Sequence, residues 1–415
     1  VSPTARRRRT IARHGQLHTP GPLNQLLKFI AIGLAVVLVS GFGVAGYVVY
    51  DLSSTVTANA VELDTKNEVL PDIGEYKEGF NLLLTGVDTC EPEYAAYFGD
   101  RCSGKDSGST LNDVNLLVHV SQEPRRVTVV SFPRDLMLAI PECEDDQGNV
   151  HSAMSKQALN VAYTDGGLNC VAQTITKLTG QEIQFAASVT FGGVIEITNA
   201  IGGVDVCLAT PIKDRHTGLD LPAGTRTIQG LEALQFLRTR HGVGDGSDLG
   251  RIGNQQQYMS SLARKLISSE TLGNVPTMLR LANTGIRNLK TSTSLADPVK
   301  IVQIALAVKS VPFEDIVFLQ YPTNTDPDND NKVVANQSAA AEMWDAINAN
   351  AQLQVTHQNT ENDGVIVTDP GTEAPVEGGT EMPDPAATSE NVVALPDSIK
   401  GNSAAQQTCS NGNVR

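Results

Sequence analysis

Two aspartates stand at the ends of neighbouring apolar runs. Asp88 closes LLLTGVD and Asp113 lies at the start of NDVNLLVHV. If the two runs are adjacent strands, their carboxylates meet at one sheet edge, where hard oxygen ligands suit a magnesium ion that completes its shell with phosphate and water. A capping aspartate beside a turn aspartate is the alternative reading of the same spacing. Arg134 follows a third run in Phe132-Pro133-Arg134-Asp135, where the proline fixes the turn and holds the guanidinium in place. Asp135 is assigned to orienting a neighbour. The densest cluster is Leu237-Arg238-Thr239-Arg240-His241-Gly242, followed by Asp248-Leu249-Gly250-Arg251 and Asn254-Gln255. Arg238 and Arg240 share a face only where the chain is extended, whereas Arg251 and Gln255 share a face of the helix that follows. Guanidiniums crowded into an otherwise acidic chain call for an anion, and their planar forks match phosphate oxygens in pairs. His241 has no sequence partner and is read as structural. Hydrolase signatures such as G-x-S-x-G and H-E-x-x-H, and a Walker loop, are missing from the sequence.

These residues need a scaffold that delivers strand ends to one edge. Residues 80–87, 114–120 and 126–132 are short, β-branched, apolar runs that read as buried strands, the last two joined closely enough for a hairpin. Helical spacing follows at 155–163 and 168–178, broken by Asp165-Gly166-Gly167. Then come a strand at 183–189, a helix at 191–200 and a strand at 204–208. Later helices are predicted at 231–237, 255–267, 275–281, 298–308 and 339–347, with a strand at 316–320. This order predicts an α/β fold, a three-layer α/β/α sandwich around a central mixed sheet, with ligands at the ends of its strands.

The chain has 415 residues and a formal charge of −15. Residues 29–50 contain no charge, and as a helix they would span about 33 Å, enough to cross a bilayer. The residues before them include Arg6, Arg7, Arg8, Arg9, Arg13 and Lys28 and no acid. This predicts a single-pass protein with a cytoplasmic basic tail at 1–28, a transmembrane helix at 29–50, an extracytoplasmic stalk at 51–78 and a catalytic domain at 79–350. A cleaved signal peptide is the competing reading. Residues 351–415 are predicted to be a flexible acidic tail rich in Pro, Gly and Thr, ending near Cys409. The acidic outer part excludes general nucleic-acid binding. All six cysteines fall beyond residue 50, where disulfides persist outside the cytoplasm, and none has metal-ligand spacing. Many connectivities are open. Cys90 with Cys102, Cys143 with Cys170 and Cys207 with Cys409 is the expected set.

The ordered motifs LLLTGVD, NDVNLLVHV, VVSFPRD, FGGVIEITNAIGGVDV, LEALQFLRTR and DLGRIGNQQQ together resemble the catalytic domain of the LytR-CpsA-Psr family over residues 80–265. The cysteine-bounded insertion from Cys90 to Cys102 resembles its actinobacterial members. The resemblance implies a magnesium-dependent phosphotransferase. It would move teichoic acid, capsule or arabinogalactan-type glycopolymers from a polyprenyl-pyrophosphate carrier to peptidoglycan at the outer face of the membrane. It carries the metal role to Asp88 and Asp113. Pyrophosphate binding goes to Arg134, Arg238, Arg240, Arg251 and Gln255, with Asp248 orienting the guanidiniums. A prenyl tunnel is implied at 158–162 and 189–201. Leu111 and Asn254 stand where many members have arginine, and Arg101 or Lys105 would compensate. The base is unassigned, with Asp88 first in line. A pyrophosphatase and a non-catalytic lipid-binding scaffold are the competing functions.

Overall fold

Strand β1 (Phe80–Val87) sends Leu83 to one side and Leu82 and Leu84 to the other, the alternation that a pleated backbone imposes. It pairs antiparallel with β2 (Asn112–Val120), which pairs antiparallel with β3 (Val127–Phe132). Beyond them, in chain order, lie α1 (Ala162–Thr179), β4 (Phe185–Thr190), α2 (Phe191–Ala200), β5 (Val204–Leu208), β6 (Gly224–Ile228), α3 (Gly230–Arg238), α4 (Asp248–Ile267), β7 (Leu289–Thr291), α5 (Pro298–Val308), β8 (Ile316–Gln320) and α6 (Gln337–Asn348). Five short strands complete the chain: β9 (Gln352–Val355), β10 (Val365–Val367), β11 (Val392–Leu395), β12 (Gly401–Ser403) and β13 (Thr408–Ser410).

The computed structural model describes residues 79–97, 110–145, 147–267, 287–296, 298–356, 364–368 and 391–413, with Cys102 and single positions between 281 and 285. The basic tail, the segment read as a membrane helix, the stalk, Arg101, Lys105 and nearly all of the helix read at 275–281 lie outside these residues. Among the described residues no helix is long and apolar enough to cross a membrane.

A central mixed sheet runs in the order β7-β4-β1-β2-β3-β8-β12. The β1/β4 and β3/β8 pairs are parallel, the rest antiparallel. One face carries Leu83, Leu117 and Val130 against α1 and α6, through side chains such as Ile175 and Met343. The opposite face carries Leu116, Val129 and Phe318 against α5 and α4, through Ile304 and Met259. The chain is therefore a mixed α/β domain with buried apolar clusters on both sides of its sheet.

Three sequence expectations change. Residues 154–158 form a strand paired with Met137–Ile140, and Leu159–Val161 is a single 3-10 turn, so the helix read at 155–163 begins only at Ala162. Its apolar residues fit either period, and the strand partner decided between them. The break at Gly166-Gly167 is a kink inside α1 rather than its start. A Cβ at Gly166 would lie 2.8 Å from the Cβ atoms of both Cys143 and Cys170, so the glycine makes room for that disulfide.

The third change concerns the tail. Residues 391–413 are folded: β11 pairs with β9, β12 edges the central sheet beside β8, and β13 joins β5, β6 and β10 in a four-stranded sheet. Leu395 and Ile399 are buried in the cluster with α1 and α6. Averaging composition over a long acidic stretch hid these short apolar runs. Cys90–Cys102, Cys143–Cys170 and Cys207–Cys409 are all bonded.

Leu117 is fully buried at the centre of the sheet. Leu117→Ala should lower unfolding free energy by about 2–5 kcal/mol, the usual cost of a large-to-small core change, measured by chemical denaturation.

Candidate functional site

The site begins at an irregularity between β1 and β2. Gly86 faces Val114 and Val87 faces Asn112, so Asp113 is the extra residue of a bulge. Bulges re-aim a side chain out of the regular ladder. Asp88 follows at the same edge, where its amide donates to Leu111 O at 3.1 Å and its Oδ1 accepts from Leu111 N at 2.6 Å. Asp88 and Asp113 thus stand at the same end of the β1/β2 pair, Asp88 held by Leu111. The Pro133 turn brings Arg134 to the same edge, with Nη1 donating to Asp113 Oδ1 at 2.9 Å. Its Nε lies 3.5 Å from Asp135 Oδ2 and 3.7 Å from Asp248 Oδ1. Asp135 also takes Lys332, so it orients its neighbours as expected.

Helix α3 ends at Arg238, and Thr239 is extended (φ −60°, ψ 131°). This turns Arg238 and Arg240 towards one cavity, the condition the sequence set for them. Arg238 lies 4.6 Å above the Phe191 ring. Arg240 is fixed by its amide on Asp214 Oδ2 and its Nε on Gly246 O. In the first turn of α4, Asp248 Oδ1 is 2.7 Å from Arg251 Nη2, which also donates to Asp113 O at 3.0 Å. Asp248 therefore touches guanidiniums, not a ligand surface, and acts by holding Arg251 and Arg134. Gln255 Nε2 donates to Leu237 O at 2.9 Å and also lines the cavity. Asn254 is fully buried, with Nδ2 on Phe236 O. It ties α4 to α3.

Burial opposes the charge on Arg134, but Asp113, Asp248 and Asp135 outweigh it and hold this guanidinium above its ordinary pKa. Arg238 goes the other way. Burial, helped by Arg251 and Arg134, exceeds the pull of Asp113 and Asp88 and leaves it below.

The cavity has a volume of about 630 Å³. Asp113, Arg134, Arg238, Arg240, Arg251 and Gln255 line it beside the sheet end, and apolar residues such as Leu84, Leu116, Val129 and Phe318 line it along the strands. Val189, Phe191, Val194 and Ile197 form a wall, as expected for 189–201. Residues 158–162 do not: Leu159 and Ala162, with Val161 packed against them, belong to the cluster on the other face of the sheet. The wall that sequence reading missed is α4, through Tyr258, Met259, Leu262 and Leu266. Asp214, His216 and His241 were missed as a group. Asp214 Oδ1 accepts from His216 N and Oδ2 from Thr239 Oγ1, and the two imidazoles stand 4.5 Å apart at the cavity. Their separation in sequence left no local signal.

Among the described residues no three His, Cys, Asp or Glu side chains gather as a metal cluster. Magnesium needs only one or two carboxylates when phosphate and water supply the rest. Asp88 and Asp113, hard oxygen donors on adjacent strands, fit it, although Arg134 already engages one oxygen of Asp113. Asp113 lines the cavity and Asp88 does not.

The sequence profile of the LytR_cpsA_psr family matches residues 46–349. The chain is 30% identical over 203 residues to the cell wall biosynthesis protein LcpA of Corynebacterium glutamicum, covering 44% of this chain and 38% of LcpA, so it spans well under two thirds of that relative. It is 24% identical to the polyisoprenyl-teichoic acid–peptidoglycan teichoic acid transferase TagT of Bacillus subtilis, over 70% of this chain and 84% of TagT. The crystal structure of protein gbs0355 from Streptococcus agalactiae superposes with a TM-score of 0.53 at 21% identity, over 69% of this chain and 91% of that one, and shows a shared fold.

Asp214 provides a test of how the Arg240 loop is held. Burial raises its pKa, but hydrogen bonds from Thr239, His216 and Arg240 bring it below the ordinary 3.8. A depressed carboxylate stabilises the fold above its unfolded pKa, and that contribution is lost as pH falls through the folded value. Asp214→Asn should therefore lower the melting temperature at pH 5–7, and the gap to wild type should close below about pH 4, followed by thermal melts across that range.

Proposed function

Since the chain belongs to the LytR-CpsA-Psr family, we propose that it is a magnesium-dependent phosphotransferase that attaches an anionic glycopolymer from a polyprenyl-pyrophosphate carrier to peptidoglycan. In this reading a three-layer α/β/α domain is held outside the cell membrane by a single helix at 29–50, with the N-terminus in the cytoplasm. One observation carries the proposal: an apolar cavity that ends at four guanidiniums and a carboxylate. A prenyl chain gains about 25 cal/mol for each Å² of apolar surface it buries, and a diphosphate fits paired guanidinium forks. Few other metabolites join these two parts. The relatives in Bacillus subtilis and Enterococcus faecalis that transfer teichoic acid from a polyisoprenyl carrier to peptidoglycan support the same class of substrate and acceptor.

Arg238 and Arg240 would grip the diphosphate oxygens, while Arg134 and Arg251, fixed by Asp113 and Asp248, keep the opposite side of the ring in place. Magnesium, when bound by Asp88 and Asp113, would neutralise charge on the phosphate oxygens. The acceptor sugar hydroxyl attacks the phosphorus that bears the glycan. The new P–O bond forms as the bridging P–O bond breaks, the hydroxyl proton passes to solvent water, and polyprenyl phosphate leaves with the bridging oxygen. Positioning and charge neutralisation supply most of such a reaction, so no protein nucleophile is needed.

Arg240→Ala should lower polymer transfer by about two to three orders of magnitude, the cost of losing a comparable electrostatic contact. Arg240→Lys should recover only part, because a point charge does not reproduce the fork. Asp113→Asn should shift the magnesium requirement upward. The assay incubates the full chain with a glycosyl-pyrophosphoryl lipid, magnesium and peptidoglycan oligomers and weighs the products by mass spectrometry. Near wild-type turnover in all three variants would refute the assignment, and free glycosyl phosphate in place of linked polymer would make the enzyme a pyrophosphatase.

A further inference from the structure

The loop that presents Arg240 has little structure of its own. Gly242, Gly244 and Gly246 alternate along it, the last two at positive φ (53° and 82°), and such a segment loses much conformational freedom when ordered. Its internal ties are a 3.0 Å turn from Gly246 N to Val243 O, a longer one from Val243 N to Arg240 O, and Arg240 Nε on Gly246 O.

Asp214 holds its start through the Thr239 hydroxyl and the Arg240 amide, and the C-terminal segment holds the glycines that follow. Gly244 N donates to Asn411 O at 3.0 Å and Asn413 N donates to Gly242 O at 2.8 Å. Between them, Val243 and Gly412 form an antiparallel bridge. The other side of the segment is fastened to the end of β5. Gly412 N donates to Thr210 Oγ1 at 2.7 Å, Thr210 Oγ1 donates to Asn411 Oδ1 at 3.1 Å, and Ala209 N donates to Ser410 O at 2.9 Å. Directly before it, Cys409 is bonded to Cys207 of β5, closing a separation of 202 residues. The neighbouring strand bears on the other arginine. At Gly364, just before β10, a Cβ would lie 2.2 Å from Gly250 O, in the turn of α4 that carries Asp248 and Arg251.

We propose that residues 411–413, tethered by the Cys207–Cys409 bond, are a positioning strap that fixes Arg240 for its diphosphate ligand. The strap orders a glycine-rich loop before ligand arrives, so binding does not bear that entropy. Asn411 and Asn413 act through the loop backbone and stay outside the chemistry. The inference rests on the diphosphate reading above.

Inorganic pyrophosphate with magnesium, titrated calorimetrically into the full chain, tests it. Thr210→Val removes the hydroxyl that fastens the strap, and Thr210→Ser keeps it. Gly412→Ala places a Cβ 2.0 Å from Pro211 O and must displace the strap by another route. Thr210→Val and Gly412→Ala should each raise Kd by about tenfold, as expected for losing one or two hydrogen bonds, while Thr210→Ser binds as wild type does. In an Arg240→Ala background the Thr210→Val effect should largely vanish, because both act through one guanidinium. Unchanged affinity in Thr210→Val and Gly412→Ala, or full additivity with Arg240→Ala, overturns the strap alone. A wild-type chain that binds no pyrophosphate overturns the diphosphate reading and the strap together.

Discussion

Guanidiniums can be packed together in a protein interior only where carboxylates stand between them. Arg134 and Arg251 lie near enough to Arg238 to disfavour its charge, and such repulsion is weakly screened where water is excluded. Asp113 and Asp248 are placed to offset it, Asp113 on Arg134 and Asp248 between Arg251 and Arg134. The members of this lattice come from the β1/β2 bulge, the Pro133 turn, the end of α3 and the first turn of α4. Asp248 and Arg251 pair within one turn of α4, but Arg134 and Arg238 draw on carboxylates from other segments, so the lattice closes only when the sheet register and the α3–α4 packing are both in place. Gln255 and Asn254, which fasten α4 to carbonyls at the end of α3, hold the two arginine-bearing elements in that relation.

Much of this frame is legible in the sequence because a short, β-branched apolar run is a local signal. The runs that became β1, β2, β3 and β8 show it without reference to any partner, and Asp88, Asp113 and Arg134 are found by asking what stands at their ends. The limits of the reading are equally physical. Residues 154–158 have apolar spacing compatible with a helix, and only the distant partner at Met137–Ile140 makes them a strand. Residues 391–413 sit at the end of an acidic stretch, yet a few residues such as Leu395, Ile399 and Cys409 bring them into the fold. Asp214 carries no motif, and its role in holding Thr239 and Arg240 exists only once the short strand Ile212–Asp214 and the end of α3 are folded together. The crowding of arginines was taken as a demand for an external anion. Asp113 and Asp248 meet part of that demand from within the chain.

How much of the demand remains can be located. Arg134 is held above its ordinary pKa, so its carboxylates more than compensate for burial, whereas Arg238 is held below, so burial and neighbouring arginines exceed what Asp113 and Asp88 return. Of the two, Arg238, at the end of α3, is the guanidinium whose neighbouring carboxylates do not offset its burial. The Phe191 ring beneath Arg238 supports this planar cation from one side. Phe191 also belongs to the apolar wall formed by α2. The same side chain thus stands where the guanidinium end of the cavity meets its apolar wall.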